Sequence, residues 1–262
     1  MVNRKYGALE SPNDIRDFRV SAPKSIELPV EFKLNHTTIK DQGDVNSCVA
    51  HTLSEMLESK YKNNYSTGWI YGYRPTGYYQ GEGMYPREAL STLLKKGAVL
   101  NKDFDVNIEM NAAKKKVDEN IYVLEIKAED TKIESYARMS TINEIKTWLY
   151  TKNTPVPIAI ATDNLVIDSN NIIQIPDVYP NSGHAILIIG WNETGFIIQN
   201  SWGTNWGDGG LAILPYEYKI REAWAVTMDT SNKECESKIK KPHLFFLRSA
   251  LYKLIKFIKG DK

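Results

Sequence analysis

The sequence is poor in cysteine. It has two, Cys48 and Cys235, in 262 residues. Two thiols cannot build the disulfide framework of a stapled secreted domain, which favours a reducing, cytoplasmic setting. Long apolar runs are also missing, since stretches such as 185–190 are far too short to cross a bilayer. The opening residues MVNRKYGALESPNDIRDF contain no apolar core of a secretory signal. Net charge is close to absent, +1 from 33 basic and 32 acidic residues, so nothing global points to nucleic acid. The four histidines, at positions 36, 51, 184 and 243, are scattered and offer no zinc spacing. The glycines of WGTNWGDGG precede no Lys-Ser/Thr and lie in no βαβ unit, which excludes a phosphate loop. Neither a metal nor another cofactor is expected.

What remains is an ordinary globular composition, 42% hydrophobic and 25% charged, long enough for one or two domains with a sizeable core. The charge is unevenly spread. Residues 233–262 carry nine basic and three acidic groups, a tail of +6 on a body of −5. Within that tail, residues 243–259 fit a helix with Arg248, Lys253, Lys256 and Lys259 on one side and Leu247, Leu251, Leu254, Ile255 and Ile258 on the other. Such a helix either docks its apolar face on its own domain or binds an anionic membrane surface or a protein partner. The expected organisation is an N-terminal arm (1–27), a body (28–232) and this tail (233–262).

The pattern within the body changes midway. Apolar residues at helical spacing predict helices over 47–60, capped by Asn46 or Ser47, and over 86–96, with Pro86 in the first turn and Gly97 as the stop. A third is expected over 141–150, where Thr141 and Glu144 have capping-box spacing. From about residue 155 the pattern becomes short β-branched or aromatic runs at 156–161, 185–191, 196–199, 211–214 and 223–228, with a hairpin loop at 192–195. This is an α+β class, helical first and antiparallel β second. The Lys/Glu-rich stretch 101–140 reads as containing a surface excursion with a solvated charged face.

Cys48 falls at the start of the first helix. A helix N-terminus carries partial positive charge and unpaired N–H groups, which favour a thiolate. Gln42, six residues earlier in DQGDVNSC, can donate its amide to an oxygen held near that thiol. His184 begins an apolar strand and Asn200 ends the next one, so a hairpin brings the amide beside the imidazole. Cys48, His184, Asn200 and Gln42 thus form a nucleophile, base, orienter and oxyanion donor. A lone cysteine is more often an inert buried thiol; the four residues together argue against that.

These residues carry a family resemblance. DQGDVNSCVAHTLSEMLE, GEGMYPREALSTLLKKGAV, TINEIKTWLYTKNTPVPIAIAT and GHAILIIGW…IIQNSWGTNWGDGG resemble the corresponding segments of papain-like cysteine peptidases of the C1 type, over roughly 28–228. The resemblance implies a two-lobe fold, helical on the left and antiparallel β on the right, with the cleft between. It implies hydrolysis of a peptide or protein substrate through a Cys48 acyl-enzyme, with His184 as base and then acid. Asn200 would orient the imidazole, and Gln42 with the Cys48 N–H would hold the oxyanion. A resting thiolate–imidazolium pair is expected. Trp202 would cover the His–Asn bond and Trp206 would pack near the primed side. Gly83 belongs to the glycine-rich cleft border. Met84, Tyr85, Pro86, Ala159 and Ala185 align with the pocket for the second residue before the scissile bond, and all five favour a hydrophobic side chain there.

The departures are specific. Val45 stands where the family has a disulfide cysteine, so the left lobe must hold by packing. Val49 replaces a tryptophan and His51 a phenylalanine; His51 is either a core residue or an approach to Cys48 from one turn away. Gly183 replaces a side chain that often tunes the ion pair. About 27 residues precede ELPVEF, where relatives carry a long pro-segment. Activity is therefore expected to be unrestrained or controlled by the short arm, the tail or a partner. A catalytically inactive peptide-binding protein and a transpeptidase or other acyl transferase are the alternative functions. The aromatic cluster 69–79 reads as either a cleft wall or loop packing.

Overall fold

The computed structural model describes residues 5–15, 17–20, 26–73 and 82–228. The predicted tail helix, Cys235 and residues 74–79 of the aromatic cluster lie outside the described residues. The elements run β1 (Phe32–Lys33), α1 (Cys48–Tyr61), α2 (Thr67–Gly72), α3 (Pro86–Lys96), α4 (Met110–Ala128), β2 (Ser135–Met139), α5 (Ile142–Lys152), β3 (Val156–Ala161), β4 (Gly183–Trp191), β5 (Gly195–Gln199), β6 (Leu211–Pro215) and β7 (Ile220–Thr227). The strands form one antiparallel sheet in the order β2-β7-β3-β4-β5-β6, with β1 added to β4. The fold is α+β, with helices α1 to α4 gathered before the central strands.

The sheet is buried on both faces, which explains why its central strands read as unbroken apolar runs rather than alternating ones. Every residue of β3 and β4 is buried. Ala159, Ala185, Leu187 and Ile189 join the cluster around α1, with Leu53, Met56 and Leu57. Ile158, Ile160, Ile186 and Ile188 point the other way, onto Ile145 and Leu149 of α5. Each buried side chain of this size stabilises by about 1.5–3 kcal/mol. Among the described residues the left-hand cluster has no disulfide, and Cys48 is a free thiol.

Local signals decide the ends of the helices. Pro86 opens α3 and Gly97 (φ 77°) stops it. In α5 the Thr141 hydroxyl accepts from Glu144 N–H at 3.1 Å while Glu144 accepts from Thr141 N–H at 3.1 Å, a complete capping box. The expected cap of α1 is absent. Ser47 occupies the N-cap without a side-chain hydrogen bond, and the Asn46 amide donates to Glu82 instead.

The stretch 101–140 is mostly exposed or half-buried, as a solvated charged face should be, but it holds more regular structure than its composition suggests. It holds α4, nineteen residues long, which packs on α2 through a thin seam of Ala113, Val117, Leu124 and Ala128. Two of those four are alanines, so composition alone reads as solvated surface. Strand β2 (SYARM) was also not expected, because its residues are mixed; it exists as the edge partner of β7. Among the described residues, no helix is long and apolar enough to cross a membrane.

One buried carboxyl ties α1 to the chain crossing in front of it. Glu55 is 1% exposed, its Oε1 accepts from Lys40 N–H at 3.4 Å, and its Oε2 has no hydrogen-bond partner. Burial pushes this carboxyl from 4.5 up to about 8. The folded chain keeps a proton that the unfolded chain releases, so this contribution to stability falls as pH rises from 4.5 through about 8. Glu55→Gln is therefore expected to raise Tm by ~3 °C or more at pH 8 with little change at pH 5. Equal shifts at both pH values in thermal denaturation would contradict the buried neutral acid.

Candidate active site

The uncapped start of α1 decides the environment of Cys48. A helix leaves its first N–H groups without intrahelical partners. Ser47 supplies no side-chain oxygen there, and the backbone N–H groups at this helix start favour the thiolate form of Cys48. The sulfur accepts from Ala185 of β4 and from Gly7 of the N-terminal arm. The thiol therefore touches the strand residue next to His184.

His184 and Asn200 are both fully buried. The β4–β5 hairpin turns through Asn192, whose side chain accepts from Thr194 and Gly195 N–H, and its register pairs Leu187 with Gln199. Asn200 follows at the strand end, and His184 Nε2 donates to its Oδ1 at 2.8 Å. That bond commits Nε2 as a donor and leaves Nδ1 as the nitrogen for proton exchange. Trp202 lies 4.8 Å from the imidazole, ring centroid to centroid, and tilted 33°. Trp206 meets Trp202 edge-on at 5.6 Å.

Gln42 is fixed across the cleft to the same loop. Its N–H donates to Ser201 O at 2.9 Å, and its Oε1 accepts from the Ser201 hydroxyl at 3.0 Å. The amide nitrogen donates to Val45 O at 2.9 Å and to Lys5 O at 3.1 Å. One of the two oxygens on the Gln42 amide nitrogen thus comes from the protein's own arm.

The arm threads the whole site. Tyr6 packs edge-on against His184 and Trp202, both at 5.9 Å. Gly7 N–H meets the Cys48 sulfur. Ala8 N–H donates to Gly183 O at 3.0 Å, Leu9 N–H to Met84 O at 2.9 Å, and Met84 N–H to Gly7 O at 2.8 Å. The arm runs parallel to the Met84 segment at the Ala8–Met84 bridge. Ser11 N–H then donates to Glu222 at 3.0 Å. Glycines permit this approach: a Cβ on Gly7 would sit 2.1 Å from Asn46 O, and one on Gly183 2.4 Å from Ala8 O.

This occupancy corrects the expected resting thiolate. Burial beneath the arm pushes the Cys48 thiol above its ordinary value, outweighing the N–H groups that favour the thiolate. His51 also resolves. It is buried, its Nδ1 bonds Ser47 O at 3.0 Å, and burial lowers its pKa to about 4. It is a neutral core group that braces the start of α1.

The cleft border places Gly83, Met84 and Tyr85 ahead of α3, with Met84 and Pro86 buried. Ala185 pairs with Ala159, and Ala159 pairs with Glu222 of β7, so three residues form a row across one sheet face. Glu222 is the residue that reading the sequence missed. It directly precedes the buried run 223–226 of β7, and only the register with Ala159 reveals it. It is 3% exposed, accepts from Trp224 Nε1–H at 2.9 Å, and burial raises its carboxyl pKa.

Three successive arm residues thus touch an amide donor, an Asn-oriented histidine and a buried thiol at a helix N-terminus. The family profile described as papain family cysteine protease matches residues 22–231, and the chain belongs to that family. Xylellain, a cysteine protease from Xylella fastidiosa, superposes with a TM-score of 0.74 at 25% identity, covering 87% of this chain and 97% of that one. Procathepsin L 3 of Tenebrio molitor shares the fold at TM-score 0.63 and 16% identity, over 86% and 76% of the two chains. A viral cathepsin of Adoxophyes honmai nucleopolyhedrovirus is 26% identical over 213 residues, 77% of this chain and 59% of that one. A peptidase C1-like protein of Acanthamoeba polyphaga mimivirus is 38% identical over 60 residues, 21% of this chain and 19% of that one. The chain thus spans less than two thirds of the length of these two curated relatives.

The shielding of Cys48 has a direct readout. Iodoacetamide alkylation located by mass spectrometry is expected to be slow at Cys48 near pH 6 in the full chain. Gly7→Ala, which forces the arm off Asn46, is expected to raise that rate by about tenfold or more. An unchanged rate would show that the arm does not shield the thiol.

Proposed function

We propose that this protein is a thiol-dependent peptidase held latent by its own N-terminal arm. The observation that carries the reading is the Lys5 carbonyl on the Gln42 amide, one residue from the Tyr6 ring on His184 and two from the Gly7 N–H on Cys48. A peptide backbone already lies where a substrate backbone must lie. Once it leaves, water and the imidazole reach the sulfur, and the helix N–H groups favour the thiolate.

Cys48 then attacks the substrate carbonyl, and Gln42 and the Cys48 N–H receive the oxyanion. His184 protonates the departing amine, the acyl-enzyme forms, and His184 next deprotonates the water that releases it. Asn200 holds the ring so that Nδ1 faces this chemistry, and Trp202 keeps water from the His–Asn bond. The leaving half of the substrate must reach His184, so it lies on the Tyr6 and Trp202 side. The acyl half lies towards Met84 and the Ala185–Ala159–Glu222 row. The arm crosses from the first side to the second in its N-to-C direction, opposite to a productive substrate. A hydrophobic residue is favoured at the second position before the scissile bond, where the arm itself buries Ala8 beside Met84.

Fluorogenic peptide hydrolysis tests this. Gly7→Ala is expected to exceed the full native chain by tenfold or more, and Cys48→Ala or His184→Ala in that background to lose at least ~10³-fold. Labelling of Cys48 without any hydrolysis would favour the inactive peptide-binding reading. Release that requires an added amine acceptor would favour a transpeptidase.

A further inference from the structure

Between Ser11 and Asp17 the arm is held by charge, and just beyond, it pairs by backbone with β2: Arg138 N–H donates to Phe18 O at 2.7 Å and Val20 N–H to Arg138 O at 2.9 Å. Asp14 Oδ2 lies 2.9 Å from Arg87 Nη2. Asp17 bridges two arginines, with Oδ1 at 3.3 Å from Arg87 Nε and Oδ2 at 3.1 Å from Arg138 Nε. Arg87 Nη1 donates to Pro12 O at 3.3 Å, and Arg138 Nη2 to Ser11 O at 3.5 Å. Arg87 stands in the first turn of α3 and Arg138 on β2, so the two come from opposite sides of the cleft. Their side chains are only 17% and 12% exposed. The Arg138 guanidinium is stacked 4.6 Å from the Trp224 ring centre, which fixes its plane.

Among the described residues, the body supplies only distant counter-charges here. Glu88 is 3.9 Å from Arg87 and Glu222 is 3.8 Å from Arg138, both beyond hydrogen-bond length. When the arm leaves, the guanidinium N–H groups lose their carboxylate and carbonyl acceptors while their positions stay fixed by α3, β2 and Trp224. Half-buried guanidinium donors without acceptors are costly, and carboxylates fit them by geometry as well as charge.

We infer that Arg87 and Arg138 form a substrate subsite for acidic side chains upstream of the scissile bond, and that an acidic substrate segment competes with Asp14 and Asp17 for it. The site lies past Met84 and Glu222, on the acyl side of Cys48. It serves as a specificity site and as the latch of the arm. A substrate bearing carboxylates there displaces the arm as it binds, whereas a neutral peptide must wait for the arm to open. This rests on the latent-peptidase reading.

The test uses full-length protein. One aspartate is walked through each upstream position of a fluorogenic peptide, with asparagine peptides as controls. In the Gly7→Ala chain, at least one aspartate position is expected to raise kcat/KM by about five- to tenfold over asparagine, through KM, with the ratio falling at high salt. Arg87→Gln and Arg138→Gln should each shrink that ratio to about twofold or less. In the otherwise native chain the same substitutions should increase hydrolysis of the neutral peptide, because they loosen the arm. A misfolded variant would lower both readouts, and Arg138→Lys, which keeps the charge, should retain an intermediate ratio. Hydrolysis without any aspartate preference overturns the subsite and leaves the peptidase reading intact. If no peptide is cleaved, anisotropy of labelled aspartate and asparagine peptides on the Cys48→Ala, Gly7→Ala chain decides. Tighter aspartate binding lost in Arg87→Gln supports the subsite, and equal binding overturns it.

Discussion

The uncapped first turn of α1 is the constraint on which the site depends. Four N–H groups at a helix start need acceptors, and Ser47 does not supply one from its side chain. The Cys48 thiol sits at that start, where the helix N–H groups and the Ala185 backbone favour its ionised form. The small side chains of Ala159 and Ala185 face this end of the helix, while isoleucines occupy the opposite sheet face. His51 reinforces the geometry by bonding the Ser47 carbonyl. Nucleophile, strand and helix are thus positioned by backbone groups, and the absence of a disulfide at Val45 costs the site nothing it uses.

Desolvation then sets the state of the thiol. The N–H groups that favour a thiolate, Gly7's among them, are outweighed by the burial of the thiol. On the latent-peptidase reading, coverage alone suffices, with no change in Cys48, His184 or Asn200. Gly7 and Gly183 matter because the arm and the cleft meet backbone to backbone. A Cβ at either position would fall within 2.5 Å of a carbonyl oxygen. The glycine ahead of His184 reads in the sequence as a lost tuning side chain, and the structure gives it a second use as the seat of Ala8.

What was legible in the sequence follows from locality. Cys48, Gln42, His184 and Asn200 sit in short segments whose helix start, strand start and hairpin spacing are written in neighbouring residues. The capping box of α5 and the proline and glycine of α3 are equally local. The alternation of turns and apolar runs placed β3 to β7 to within a few residues, since buried antiparallel strands leave little choice. The rest depends on contacts between distant positions. Strand β2 needs β7, α4 needs α2, and Glu222 acquires meaning only from its register with Ala159. The arm is the extreme case. KYGALES has no periodicity, and its conformation is imposed by Met84, Gly183 and Gln42, which lie far away in the chain.

A tethered segment does not need strong contacts to stay bound. Covalent attachment gives a short arm an effective concentration in the millimolar range, so a handful of backbone hydrogen bonds, each worth about 0.5–1.5 kcal/mol, keeps the cleft mostly filled. The same weakness lets the arm be displaced without unfolding anything behind it. Its direction protects it meanwhile. Gly7 presents an N–H to the Cys48 sulfur, and the Lys5 carbonyl that reaches Gln42 belongs to a chain running from the leaving-group side towards the acyl side. An oxyanion donor engaged by a carbonyl is not enough for acyl transfer; the amine on that carbonyl must also face His184, and in this arm His184 faces the Tyr6 ring.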